Sequence, residues 1–178
     1  MYTDEIQSIL ENDPYAGPLF QGVYAIDQVP HQLQPRSLYV VNTQTQNSQN
    51  GMGHWVGLST LQSPVSSYYF DSLGAPPPIS LCESLLSVST SIEFADVSLQ
   101  NALTATCGQF VVVQALFLSR GLTPLQVTSY LYKLQLRGYL MADAFVQIIT
   151  SSLAHLRDAP ILNPEIFSLK KSQKNTSD

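Results

Sequence analysis

The chain has 178 residues, 44% hydrophobic and only 12% charged, a composition that closes a sizeable single core and excludes a disordered chain. Thirteen acidic against eight basic side chains give a net charge of −5, which argues against a protein that works by neutralising phosphates. The one basic concentration is Arg137, Arg157, Lys170, Lys171 and Lys174, towards the C-terminal end.

The first pattern is amphipathic. Residues 3–12 read as a helix with Thr3 or Asp4 as its cap, Ile6, Ile9 and Leu10 on one face, and Asp13-Pro14 as its stop. The acidic start, Met1 to Glu5, reads against a secretory leader. Residues 17–30 interleave Gly17-Pro18, Gly22 and Pro30 with Val23 to Ile26, a loop around one short strand. Three further strands are expected at residues 37–42, 54–59 and 67–71. A polar loop at 43–53 separates the first two, and Gln62-Ser63-Pro64-Val65 would join the others as a hairpin. Gly74 to Pro78 breaks regular structure, residues 80–86 read as a helix, and 91–97 as a strand. Thr106-Cys107-Gly108-Gln109 then fits a capping box ahead of the apolar run Phe110 to Leu118, with Gly121 as the stop. That run is apolar all round, which predicts a central, buried helix, and at nine residues it is far short of the roughly 20 needed to span a membrane. Two more helices follow, from Thr123-Pro124 to Arg137-Gly138 and from Met141 to Arg157. Strands first, helices later, around one buried helix: the expected class is α+β, one domain over 1–165 with a flexible tail at 166–178.

Placing the hairpin turn between Gln62 and Ser63 pairs residues whose numbers sum to 125, so that Trp55 faces Phe70 and His54 faces Asp71. Opposed side chains have Cβ atoms about 4.5–5.5 Å apart, within reach of an imidazole–carboxylate hydrogen bond. Taken alone, such a pair more often serves structure than chemistry; a carboxylate also fixes the histidine tautomer and favours its cation. Cys107 falls at the first position of the buried helix, where free backbone N–H groups and the helix dipole favour a thiolate. The plain alternative is a small buried hydrophobe. Gly108 leaves room for a substrate carbonyl. Gln100, seven residues before Cys107, could present its amide to an oxyanion beside the Cys107 N–H. Cys82 has no such setting and reads as structural. Two cysteines are too few for a disulfide scaffold or a four-thiolate metal site, leaving one bridge or two free thiols. His31, His54 and His155 have no ligand spacing, so no metal is expected. Thiol, imidazole and carboxylate together are the set for nucleophilic acyl transfer.

On Gly53-His54-Trp55, Tyr69-Phe70-Asp71, Gln100 and Cys107-Gly108-Gln109-Phe110, in that order, the chain resembles the adenovirus-type cysteine endopeptidases, relatives of the SUMO-specific proteases. The His-to-acid gap of 17 residues and the Gln-to-Cys gap of 7 fit the adenoviral pattern, as do Gly17 to Tyr24 and Val41-Asn42-Thr43, so the likeness covers residues 17–118. The resemblance implies a papain-like α+β fold, a central mixed sheet with the nucleophile at the N-terminus of a buried helix. It implies Cys107 as nucleophile, His54 as proton carrier, Asp71 as its orienter, Gln100 in the oxyanion hole, and Trp55 and Gly108 at the substrate cleft. It further implies viral capsid and core precursor polypeptides as substrates, a place in the virion and host nucleus, and an enzyme of an adenovirus-related virus or a large self-synthesising DNA transposon. Family members are aided by a disulfide-linked peptide and by DNA. Here Cys82 is not at the matching distance for the peptide tether, and the acidic balance stands against DNA as a strong cofactor. Asp71 follows the SUMO-protease branch, where adenoviral enzymes carry Glu. The other readings of this set are a ubiquitin-like-modifier deconjugating protease, an acetyltransferase, and a non-catalytic assembly protein.

Overall fold

A computed structural model describes residues 1–48, 53–138 and 140–155. Helix α1 (Thr3–Asn12) buries Ile6 and Leu10, as its periodicity demands. Its capping position is Tyr2, rather than Thr3 or Asp4, because the Tyr2 N–H finds Glu5 Oε2 at 2.7 Å. The chain continues through β1 (Phe20–Ala25), β2 (Leu38–Asn42), β3 (Trp55–Ser59), β4 (Ser67–Phe70), α2 (Ile79–Leu86), β5 (Ile92–Phe94), α3 (Cys107–Ser119), α4 (Pro124–Arg137) and α5 (Met141–His155). The strand expected over 91–97 is thus only three residues long, and β1 is joined to β2 by a one-turn 3-10 helix at Ile26–Gln28 and a loop. The expected tail and the end of the last helix at Arg157 lie outside the described residues, as do residues 49–52 of the polar loop.

The five strands form one mixed sheet in chain order: β1–β2 and β4–β5 are parallel, and β2–β3 and β3–β4 antiparallel. The molecule is an α+β fold. Because successive strand residues point to opposite faces, β2 to β4 feed two cores. Leu38, Val40, Trp55, Tyr68 and Phe70 meet α1, α3, α4 and α5 on one side. Tyr39, Val41, Val56, Leu58 and Tyr69 meet Leu33, Leu81 and Leu85 on the other. Helix α3 lies in the first core with ten of its thirteen residues buried, so it keeps almost no solvent face. Phe117, Tyr130 and Phe145 lock α3, α4 and α5 through edge-on ring contacts, with centroids 6.0 and 5.4 Å apart.

At the C-terminal end of α3, Arg120 reaches back to the residue that stops α1. Its Nη2 donates to Asp13 Oδ2 at 2.6 Å and Nη1 to Oδ1 at 3.1 Å, and the guanidinium lies 4.7 Å from the Tyr15 ring centroid. Both side chains are almost fully buried.

The β3–β4 register differs from expectation. Gly57 pairs with Phe70 and Leu58 with Tyr69, so partners sum to 127 rather than 125. The connection spans residues 60–66 and is pinned from outside the hairpin, by Thr60 Oγ1 on Gln34 O at 2.6 Å and Ser63 Oγ on Val88 O at 2.6 Å. A shift of two leaves every side chain on its expected face.

Candidate active site

With that register, Asp71 follows the end of β4 diagonally across from His54, which immediately precedes β3, and the imidazole spans the diagonal. His54 Nε2 and Asp71 Oδ1 are 2.7 Å apart, and Asp71 Oδ1 also accepts the Leu73 N–H at 2.7 Å. The Asp71 carboxylate is buried, while His54 keeps about a quarter of its surface. Two neighbours prepare this end. A Cβ on Gly53 would overlap the Asn42 amide, so a larger residue there would have to push that side chain aside next to His54. Tyr69 is kept neutral by burial first, then by the charge of Asp71 and a hydrogen bond to it.

Cys107 opens α3 and faces the other side of the same imidazole. Burial resists ionisation of its thiol, but hydrogen bonding to His54, the backbone N–H groups of Trp55 and Gly108, and the charge of His54 outweigh it and lower its pKa. Burial likewise opposes the His54 cation, yet its bonds to Asp71 and Cys107 and their charges raise its pKa to about 9. The three side chains selected from the sequence therefore form one electrostatic unit. Cys82 is apart from it: its thiol leans on Pro77 O at 3.7 Å, and both cysteines are free.

Gln100 is buried ahead of this unit and held at both ends of its amide. Ser72 Oγ donates to its Oε1 at 2.7 Å, and its Nε2 donates to Thr104 O at 2.7 Å, which leaves one Nε2 hydrogen uncommitted. Ser72, next to Asp71, also takes the Leu99 and Gln100 N–H groups on its carbonyl at 2.8 and 2.9 Å. Trp55 and Gly108 stand beside Cys107, but the space that Gly108 leaves is filled. A Cβ there would lie 3.0 Å from Met1 Cβ, 3.2 Å from Trp55 Cδ1 and 3.5 Å from Ile6 Cδ1. Trp55 is buried, and its indole N–H donates to Met1 O at 3.3 Å.

The capping box expected at Thr106 does not form. Thr106 is the capping residue by position but makes no cap bond; its hydroxyl donates to Asp143 Oδ1 at 2.5 Å, and Gln109 Oε1 is buried without a partner. Thr123 and Gln126 make a complete box at the start of α4 instead, at 2.8 and 3.3 Å. Asp143 is the site neighbour that sequence reasoning missed. Its signal was an acid on the buried stripe of an otherwise apolar segment, in line with Ala142, Val146 and Thr150. Among the described residues, no three His, Cys, Asp or Glu side chains gather as a metal site, and no helix is long and apolar enough to cross a membrane.

The shifts carry a pH consequence. A histidine with a raised folded pKa adds stability that is complete below about 6.5 and is lost as pH rises through about 9. The thiol acts in the opposite sense: its contribution is present above the ordinary thiol range and is lost as pH falls through its lowered value. In a Cys107→Ala protein, which removes the opposing titration and the cysteine's share of the histidine's shift, urea denaturation should show the part that Asp71 supplies, a stability decline that starts near pH 6.5 and ends below about 9. Adding His54→Ala should flatten that decline. A flat profile in Cys107→Ala would show that the cysteine, and not Asp71 alone, is needed to lift His54 above its ordinary range.

Neither a protein-family model nor a curated protein matches the chain.

Proposed function

We propose that the chain is a cysteine endopeptidase of papain-like design, acting through Cys107, His54 and Asp71. The observation that carries this reading is a histidine held 2.7 Å from a buried carboxylate while its other side bonds the thiol at the N-terminus of a buried helix. The mechanism follows from that polarity. The Cys107 thiolate attacks the scissile carbonyl carbon, and the electron pair moves onto oxygen. The Cys107 N–H and the uncommitted Nε2 hydrogen of Gln100 stabilise that oxyanion. Its collapse breaks the C–N bond, and the His54 imidazolium gives its proton to the departing amine. Water then attacks the thioester, His54 takes the water's proton, and the acid leaves with the thiolate restored. Asp71 keeps the imidazole in plane throughout. Among substrates, the resemblance in motif order and spacing favours viral capsid and core precursors over ubiquitin-like conjugates.

Alkylation by iodoacetamide between about pH 5 and 9, with Cys107 and Cys82 mapped separately, tests the reading. Cys107 should react near pH 6, well ahead of Cys82, and should lose that lead in His54→Ala. Coexpression with capsid precursors should then yield new N-termini that Cys107→Ala abolishes. Two thiols titrating together above about pH 8 would disprove the assembled site.

A further inference from the structure

A threonine at a helix start ordinarily turns its hydroxyl oxygen onto the N–H of the second or third helical residue. Thr106 does not. Its hydroxyl points away from α3 to Asp143 in the first turn of α5. Asp143 is 3% exposed and receives three donors from one short loop: the Thr104 and Thr106 hydroxyls on Oδ1, both at 2.5 Å, and the Asn101 N–H on Oδ2 at 3.1 Å. The loop it grips joins Gln100 to Cys107, and Thr104 in turn holds Gln100 Nε2 through its carbonyl. A carboxylate so placed is also favoured by the N-terminal dipole of α5.

We infer that Asp143 is a positioning residue for Cys107. By drawing the Thr106 hydroxyl away from α3, it leaves the first-turn N–H groups of that helix free to face the thiolate and the oxyanion. The inference rests on the proposed thiol chemistry and adds to it a residue 36 positions downstream, on a different helix. It also accounts for an otherwise wasteful feature, a capping threonine that caps nothing. An uncapped helix start costs stability, and it is tolerable where those N–H groups have another use. The lowered pKa of Cys107, to which the Gly108 N–H contributes, fits that use.

Iodoacetamide is the probe, with Cys82 in the same folded molecule as the internal standard. Near pH 6, Asp143→Ala should slow Cys107 alkylation by about fivefold relative to Cys82, because the released Thr106 hydroxyl caps α3 and takes up an N–H. Adding Thr106→Val removes that hydroxyl and should bring the rate back to within about twofold of the parent. Asp143→Asn keeps one acceptor oxygen for the two hydroxyls and gives up only the bond from the Asn101 N–H, so it is the milder variant; it should slow the reaction less, and Thr106→Val should erase that slowing too. An unchanged Cys107 rate in the Asp143 variants would overturn the inference. So would a slowing that Thr106→Val fails to reverse, since Asp143 would then act only by holding the loop together. A parent Cys107 no faster than Cys82 would instead remove the proposed function, and this inference with it.

Discussion

Replacement of His54 by alanine should lower the rate of peptide cleavage by on the order of 10⁶ while leaving the protein folded. Two losses combine. The thiol returns towards its ordinary range once its hydrogen bond and neighbouring cation are gone, and the departing amine has no proton donor. That is about 8 kcal/mol on the barrier. The cost to the fold is smaller, because Asp71 Oδ1 keeps the Leu73 N–H; losing one partner of a part-buried bond costs about 1–3 kcal/mol. Residues that act as one unit are not additive, so His54→Ala combined with Cys107→Ala should be no slower than Cys107→Ala alone. Steady-state cleavage assays on the single and double variants check this. A loss of only a few-fold in His54→Ala would sink the triad assignment.

The largest effect on stability should come from the opposite end of α3. Arg120→Ala should destabilise the fold by about 3–5 kcal/mol, read as a fall in the urea midpoint, because it strands the buried Asp13 carboxylate. Against a typical total of roughly 5–15 kcal/mol, that is a large share. The charge is the cause rather than the lost volume, so the combination of Arg120→Met with Asp13→Asn should recover most of the deficit. An asparagine at 13 can still accept the Tyr15 and Ala16 N–H groups that Asp13 Oδ1 holds at 3.0 and 2.8 Å. If Arg120→Ala and the double variant lose equal stability, packing against Tyr15 and not charge pairing holds that corner together.

What could be read from the sequence was what its own neighbours determine. The apolar run after Cys107 declared a buried helix, and the β-rich segments gave β2, β3 and β4 within a residue or two at their ends. The pairing of His54 with Asp71 was anticipated from a register that proved two residues off, and it survived because an even slip preserves the face. The slip came from bonds that local reasoning does not reach: Thr60 and Ser63 are tied to Gln34 and Val88. The contrast between Thr106 and Thr123 teaches the same point. Both sit three residues before a Gln at a helix start. The exposed pair at 123 and 126 forms its box, whereas the one at 106 and 109 is outbid by a carboxylate distant in sequence. A capping motif is reliable where nothing else is close enough to compete.

Helix α3 holds Cys107 at one end, the Arg120 anchor at the other, and protein on nearly every side between. A rod clamped in this way has no slack direction in which to slide or roll. Core substitutions along it, at Val111, Gln114 or Phe117 for example, would therefore register as altered thiol reactivity as well as altered melting, much as bending a beam moves its tip.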